Sequence, residues 1–259
     1  MTTKPILWPE PIDERRLPEG QAAWIEAITT QYTALVSELT AEERHLYVYV
    51  WESMTRFIAP VSIRQYGGVK QPQVVVQQMV ASLNARKLLW YDDELRAILQ
   101  CPAYSVLHTA NQAKAFVWGR AFACSFIDAP SALLVYGPNV WVDIHGVCPR
   151  SGEELSLKAK MREDFKLEFD IPSGGQEWCV WLPSYSEVTS ERAYEEFNML
   201  RSKINVFHSL QDLQTHQQYQ DDAGIGVIYT LEQALYASQF LLYAYSHVLS
   251  ESGWQSPHT

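Results

Sequence analysis

The hydrophobic positions near the start of the chain recur at helical spacing. Apolar side chains come every three or four residues through two successive segments, 20–38 and 41–58, which predicts two amphipathic helices. Between them, Thr40 and Glu43 form a capping-box pattern, in which each side chain accepts a backbone N–H at the start of the second helix. Pro60 ends that helix, because proline cannot continue the hydrogen-bond ladder.

A short helix, a turn, a longer helix and a β-ribbon are predicted next, which is the order of a winged helix. The segment SIRQYGG ends in two glycines, and Pro72 suits the first turn of the longer helix. The apolar stripe of that helix comprises Val75, Val76, Met79, Val80 and Leu83. The segment 87–100 predicts a hairpin with Asp92 and Asp93 at its turn. Winged helices often bind DNA through the second helix. Here its basic residues lie only at its ends: Lys70, Arg86 and Lys87.

From residue 104 onward, short strands are predicted between helices. Two strands pair across a turn at Ser151–Gly152. Further strands are predicted in FKLEFDIP, QEWCVWLP, KINVFHS and GIGVIYT, and further helices in SEVTSERAYEEFNML, from about Leu210, and over Leu231–Ser250. The pattern predicts an α+β fold, with N-terminal helices and a winged-helix-like region followed by a mixed β-sheet domain with flanking helices. We divide it into a Pro-rich arm (1–19), a helical domain (20–103) and an α+β domain (104–259).

The composition and net charge of the chain indicate which kinds of partner it can bind. The chain of 259 residues is 47% hydrophobic and 19% charged, which is typical of a folded globular protein. Its net charge of -10 disfavours nucleic acid as a partner, because phosphate backbones are repelled. The amino terminus lacks the apolar core of a secretory signal, and we expect no membrane span and a cytoplasmic location. Four scattered cysteines are expected to stay reduced. The sequence gives no indication of an oligomeric state.

The stretch AFACSFIDAP carries the strongest chemical signal. Cys124 and Asp128 are four residues apart, and Ser125 and Asp128 are three apart, so either pair shares a face if the stretch is helical. A thiol beside a buried carboxylic acid can serve as a nucleophile with a proton donor, and we expect Asp128 to face a cavity. The alternative, which the spacing alone favours, is a small buried cysteine and an aspartate that caps a helix.

The other cysteines are weaker candidates. His145 and Cys148 could supply two metal ligands, but a structural zinc site needs four, and no second pair stands at comparable spacing. We therefore expect no metal site. Cys179, in EWCVWLP, occupies a strand position and is interpreted first as a core residue.

Three segments resemble the alkylmercury lyase (organomercurial lyase) family. They are ACSFIDAPSALLVYG, the CPRSG turn and THQQYQDDAGIGVIYTLEQAL, which follow the winged-helix-like start in the order of that family. The resemblance covers about residues 60–245. It implies that family's fold and its activity, the cleavage of carbon–mercury bonds.

The family's mechanism uses two cysteine thiolates and one aspartate. Soft sulfur takes the soft metal, and the acid protonates the departing carbon. The resemblance places Asp128 on the aspartate and Ser125 on the first cysteine, while Cys124 stands one residue away. Cys148 falls on a cysteine that is structural in the family.

The second catalytic cysteine of the family falls in MLRSKINVFHS, where Arg201 or Ser202 takes its place. A rival alignment puts Cys179 there but misplaces the LP of WLPSY. On the first alignment the chain keeps the acid and loses both thiols, and a hydroxyl binds mercury poorly.

Two functions follow from this resemblance, and both take a small molecule without a cofactor. The first is an alkylmercury-lyase-like enzyme. It either cleaves a carbon–mercury bond with Cys124, Asp128 and Cys179, or catalyses another lyase or isomerase reaction. In the second case Asp128 is the acid–base group, Ser125 a hydrogen-bonding partner and Arg201 an anion contact. The other function is a non-catalytic small-molecule-binding or sensor protein on the same scaffold.

Overall fold

The computed structural model describes residues 11–57, 59–66, 72–115, 119–164, 166–183, 192–219 and 226–251. Its first two helices match the periodicity: α1 spans Gln21–Ser37 and α2 spans Ala41–Phe57. The capping box between them is confirmed. The Glu43 N–H donates to Thr40 Oγ1 at 3.1 Å, and the Thr40 N–H donates to a Glu43 carboxylate oxygen at 2.9 Å.

The next elements follow the predicted order. They are β1 (Val61–Ser62), α3 (Ile63–Tyr66), α4 (Gln73–Ala85), β2 (Trp90–Asp92) and β3 (Ala97–Cys101). The hairpin is confirmed, since β2 and β3 pair antiparallel. Gly67 and Gly68 lie outside the described residues. The stripe of α4 is buried except at Val75, which is 37% exposed. Successive residues of an α-helix are about 100° apart around its axis. Val75 therefore lies at the edge of the buried face, and Val76 lies near its centre.

A nine-stranded antiparallel sheet forms the main β layer within the described residues. Its remaining strands are β4 (Tyr104–Ser105), β5 (Asn111–Ala115), β6 (Gly119–Ala123), β7 (Trp141–Val147), β8 (Glu154–Met161) and β9 (Leu167–Asp170). The order is β1-β3-β4-β6-β5-β7-β8-β9, with β2 beside β3. The α+β class is confirmed. The sheet is not mixed, however, because short connections favour antiparallel neighbours. Cys101 pairs with Tyr104, so the sheet runs across the domain division that we predicted after residue 103.

A second, three-stranded sheet holds β10 (Cys179–Pro183) between β11 (Asn205–Phe207) and β12 (Gly226–Thr230). The later helices are α5 (Leu133–Tyr136), α6 (Ala193–Leu200), α7 (Leu210–Tyr219) and α8 (Leu231–Glu251). Helix α8 packs against α1 and against a 3₁₀ helix at Phe126–Ala132. Within the described part of the chain, no helix combines the length and the apolar character needed to cross a bilayer.

Gly146 on β7 allows the two sheets to meet beside that 3₁₀ helix. A β-carbon at this buried position would overlap a methyl group of Val206 on β11 and lie 3.1 Å from the ring of Phe126. The close approach fixes β11 and the 3₁₀ helix relative to the main sheet.

We expect Gly146→Ala to destabilise the protein by about 1–3 kcal/mol, because the added methyl group overpacks a closed contact. Urea unfolding followed by circular dichroism measures the change. Ser156→Ala, at an exposed position of the neighbouring strand, should stay within about 0.5 kcal/mol. Equal stability of Gly146→Ala and the wild type would contradict this packing.

Candidate functional site

Asp128 is fully buried at the start of the 3₁₀ helix. Ser125 precedes that helix in extended conformation, and its hydroxyl accepts the Asp128 N–H at 3.2 Å. The same hydroxyl donates to Asp128 Oδ2 at 2.6 Å. Ser125 and Asp128 are both 0% exposed. The serine therefore caps the helix and also holds the carboxyl group in one orientation.

Arg201 reaches this carboxyl group from the end of α6. It opens the turn Arg201–Lys203, and its side chain is 1% exposed. Its guanidinium stacks over the Phe197 ring at 4.3 Å, and Nε lies 3.7 Å from Asp128 Oδ2. The Phe126 N–H donates to the carbonyl of Ile204 at 3.3 Å, which ties the two segments together.

Tyr245 of α8 forms hydrogen bonds with both Asp128 and Arg201. Its hydroxyl donates to Asp128 Oδ1 at 3.0 Å and accepts from Arg201 Nη2 at 2.9 Å. Burial raises the pKa of Tyr245 well above its usual value, so the phenol stays protonated. We call Ser125, Asp128, Arg201 and Tyr245 the Asp128 cluster.

The guanidinium of Arg201 stays protonated inside the cluster. Burial alone would lower the pKa of the Arg201 guanidinium, but the neighbouring Asp128 carboxylate holds that pKa above its usual value. Bidentate contact between them is absent, because Nε stands at 3.7 Å and Nη2 is used by Tyr245. The result is an ion pair of separated groups, joined through a tyrosine hydroxyl.

Three buried N–H donors around the cluster lack a hydrogen-bond partner among the described residues. Two are Nε and Nη1 of Arg201, and the third is the indole N–H of Trp51. Trp51 packs on Tyr245, with ring centroids 5.2 Å apart, and is 2% exposed. An unpaired buried donor costs about 1–3 kcal/mol, so these three N–H groups are unmet hydrogen-bonding capacity within the part of the chain that the structure describes.

Cys124 lies beside the cluster but outside its hydrogen-bond network. Its thiol points to the carbonyl of Cys101, with Sγ 3.8 Å from the oxygen. Burial raises the pKa of Cys124 far above its usual value, and the Arg201 charge offsets this only in part. Burial also raises the pKa of Cys101, with a further increase from Cys124. Both thiols are therefore protonated at neutral pH.

Cys179 and Cys148 belong to another region. Cys179 starts β10 and pairs with Phe207 and Thr230 on its two neighbours. Burial raises the pKa of Cys179 to about 11, and Cys148 and Asp212 add to the increase. His145 Nδ1 lies 2.7 Å from a Glu154 carboxylate oxygen. Among the described residues, no three His, Cys, Asp or Glu side chains are grouped so as to hold a metal ion.

Two surface cavities, of about 420 and 530 Å³, flank α6. The smaller is lined in part by Tyr194, and the larger by Trp90, Met199 and Cys101. Asp128 lines neither, so the expected cavity in front of this carboxyl group is not one of these two. Cys101 lines the larger cavity, and its backbone carbonyl contacts the thiol of Cys124, which lies beside the Asp128 cluster.

The structure brings together three residues that the sequence singled out, Ser125, Asp128 and Arg201. The cap of the 3₁₀ helix is Ser125, whose hydroxyl accepts the Asp128 N–H, so the expected aspartate cap is wrong, although Cys124 is buried as that alternative expected. The pairing of Cys124 with Asp128 as nucleophile and proton donor stays a prediction. Sequence reasoning missed Tyr245 and Trp51. Each lies in the apolar stripe of a helix, and no local pattern separates a bridging tyrosine from a core tyrosine.

The fold resembles a solved structure, the mercury-bound form of MerB2. The two share 21% sequence identity, with a TM-score of 0.59, and the match covers 85% of this chain and 98% of the other. At this identity the likeness concerns the fold. No protein-family model and no curated protein sequence matches the chain.

We expect Asp128→Asn to cost about 3–5 kcal/mol of stability, because it leaves the buried Arg201 charge without a counter-charge. Adding Arg201→Met should recover part of that loss, since the double variant buries no charge. Urea unfolding of both single variants and the double variant measures the coupling.

The matched control is Arg192→Met, which breaks an exposed ion pair with Glu195 and should cost less than about 1 kcal/mol. If the losses in Asp128→Asn and Arg201→Met were simply additive, the two side chains would not be energetically paired.

Proposed function

We propose that this chain is an enzyme of the lyase or isomerase type, which binds a small organic anion at the Asp128 cluster and moves a proton between Asp128 and a carbon atom of that molecule. One observation carries the proposal. Buried N–H donors of Arg201 and Trp51, which have no partner in the part of the chain that the structure describes, lie around a buried carboxyl group. Donors of this kind suit the oxygens of an anion, and a guanidinium suits a carboxylate in particular.

Each residue of the cluster has a role in this reaction. Arg201 holds the anionic group of the substrate through Nε and Nη1, which have no hydrogen-bond partner among the described residues. The Asp128 carboxylate takes a proton from the carbon next to the anionic group and then returns a proton to the same or a neighbouring carbon. Ser125 and Tyr245 orient the carboxyl group by hydrogen bonds to its two oxygens. Positioned acid–base catalysis of this kind contributes about 10²–10⁴-fold in rate.

A second candidate function is protonolysis of a carbon–mercury bond. It is favoured by the likeness to mercury-bound MerB2 and by the Cys124 thiol beside the cluster. In that reaction the Cys124 thiol passes its proton to the Asp128 carboxylate and forms a sulfur–mercury bond, the carbon–mercury bond breaks, and Asp128 passes the proton to the departing carbon. The raised pKa of Cys124 and the hydroxyl of Ser125 weigh against it.

The main proposal predicts exchange of a carbon-bound hydrogen with solvent. The protein is incubated in D₂O with 2-oxo, 3-oxo and 2-hydroxy acids, and loss of each C–H signal is followed by ¹H NMR. We expect protein-dependent exchange in at least one acid. Asp128→Asn should slow it at least 100-fold, whereas Asp143→Asn, a half-buried aspartate on β7, should not.

Saturation-transfer NMR on the same samples separates the alternatives. Acids that bind without exchange would make the chain a non-catalytic binding protein on this scaffold. If no acid binds, the proposed anion site is wrong.

For the second candidate, the protein is incubated with phenylmercury and excess thiol, and benzene is measured by gas chromatography. We expect no benzene above the protein-free rate, because protonated thiols attack poorly. Benzene that disappears in both Cys124→Ser and Asp128→Asn would replace the main proposal with carbon–mercury cleavage.

A further inference from the structure

The larger surface cavity, of about 530 Å³, lies between α6 and the segments that follow α4. The end of α4, both strands of the β2–β3 hairpin and helix α6 contribute residues to its walls. Its volume falls within the range of small-molecule sites, about 300–1,000 Å³. Asp128 and Arg201 do not line it, so the cavity is separate from the Asp128 cluster.

Two large apolar side chains on the walls of this cavity are exposed to solvent. Trp90 of β2 is 47% exposed, and Met199 of α6 is 52% exposed. An indole offers a broad, rigid surface on which a flat ring can stack. The sulfur of methionine also makes favourable contacts with aromatic rings. An aromatic molecule in the cavity would therefore cover apolar surface on two of its walls.

Lys87, which also lines the cavity, occupies a backbone position that glycine normally takes. The Leu88 N–H donates to the Leu83 carbonyl at 3.0 Å, and the Lys87 N–H donates to the Asn84 carbonyl at 3.1 Å. These two bonds form a Schellman motif at the end of α4. Lys87 has a φ of 59°, in the left-handed region where a side chain causes strain. The folded chain thus carries a lysine here at the expense of stability.

The exposed Lys87 side chain lies where the two cavities beside α6 meet. It lines both of them, as Glu195 does. Glu195 is already paired with Arg192 at 3.2 Å, whereas Lys87 has no ion pair within the part of the chain that the structure describes. An ammonium group beside an exposed indole suits a molecule that combines a negative charge with a flat ring.

We propose that the larger cavity binds a small aromatic monoanion, such as an aromatic carboxylate. Its ring lies against Trp90 and Met199, and its charged group contacts Lys87. The site is independent of the Asp128 cluster and of the reaction proposed there. It selects for both features at once, because a neutral aromatic molecule lacks the contact with Lys87 and a small aliphatic anion lacks the contact with Trp90.

The test is an NMR titration of the full-length ¹⁵N-labelled protein with 2-naphthoate, followed at the indole N–H signals. The signals are assigned by their loss in Trp90→Phe, Trp141→Phe and Trp51→Phe. We expect a saturable shift of the Trp90 signal and none of Trp141, which is 43% exposed on β7 and lies outside the cavity. Absence of a saturable Trp90 shift at millimolar 2-naphthoate overturns the site. A shift of Trp51 alone also overturns it, and places the anion at the Asp128 cluster instead.

Two variants, with Kd measured by ligand-observed NMR, test the roles of charge and ring. Lys87→Gly should raise the Kd for 2-naphthoate about three- to fivefold, the effect of one exposed ion pair, and leave the Kd for neutral 2-naphthamide unchanged. Glycine suits the left-handed backbone, so this variant should also unfold at a higher urea concentration than the wild type. Trp90→Ala should raise both Kd values about tenfold.

The matched control is Lys158→Ala, which removes an exposed lysine on β8 and should change neither Kd. Equal binding of 2-naphthoate and 2-naphthamide by the wild type would contradict the proposed contact with Lys87. Unchanged binding of 2-naphthoate by Lys87→Gly would contradict it as well. Because that variant is expected to gain stability, a loss of folding does not account for weaker binding.

Discussion

The pairing of Asp128 with Arg201 is the constraint on which the centre of this protein depends. A carboxylate and a guanidinium are both withdrawn from water, and neither can be accommodated alone in a low-dielectric interior. They come from segments 73 residues apart in the chain and are joined by a tyrosine from a third segment. The 3₁₀ helix that carries Asp128, the end of α6 and helix α8 must therefore be in place together for these charges to be tolerated.

The sequence predicted local structure well because local structure follows short-range rules. Helical periodicity identified α1, α2 and α8, and the capping box at Thr40 and Glu43 has the expected geometry. The hairpin of β2 and β3 was predicted, but the order of the strands in the sheet could not be, because the pairing of strands far apart in the chain depends on contacts between distant segments. The role of Tyr245 was not predicted for the same reason, since its hydrogen-bond partner Asp128 lies 117 residues away in the chain.

The likeness of the fold to a solved structure does not determine which chemical groups surround Asp128. The likeness to MerB2 concerns the path of the backbone, whereas the atoms that face Asp128 are a hydroxyl, a phenol and a guanidinium. These are hard oxygen and nitrogen groups that suit hydrogen bonding and charge, and sulfur suits soft metals. The nearest thiol, Cys124, is directed to a backbone carbonyl. The groups that hold the Asp128 carboxyl group in this protein are therefore oxygen and nitrogen groups throughout.

The pairing of Cys101 with Tyr104 has a consequence for how this chain can be divided. Because the hairpin of β3 and β4 continues into β6, the helical half and the β-rich half share one hydrogen-bonded surface. A fragment that begins at residue 104 would leave the backbone groups of β4 without their β3 partners, and bare strand edges recruit other chains. A cut at this boundary would therefore expose an unpaired strand edge in both halves.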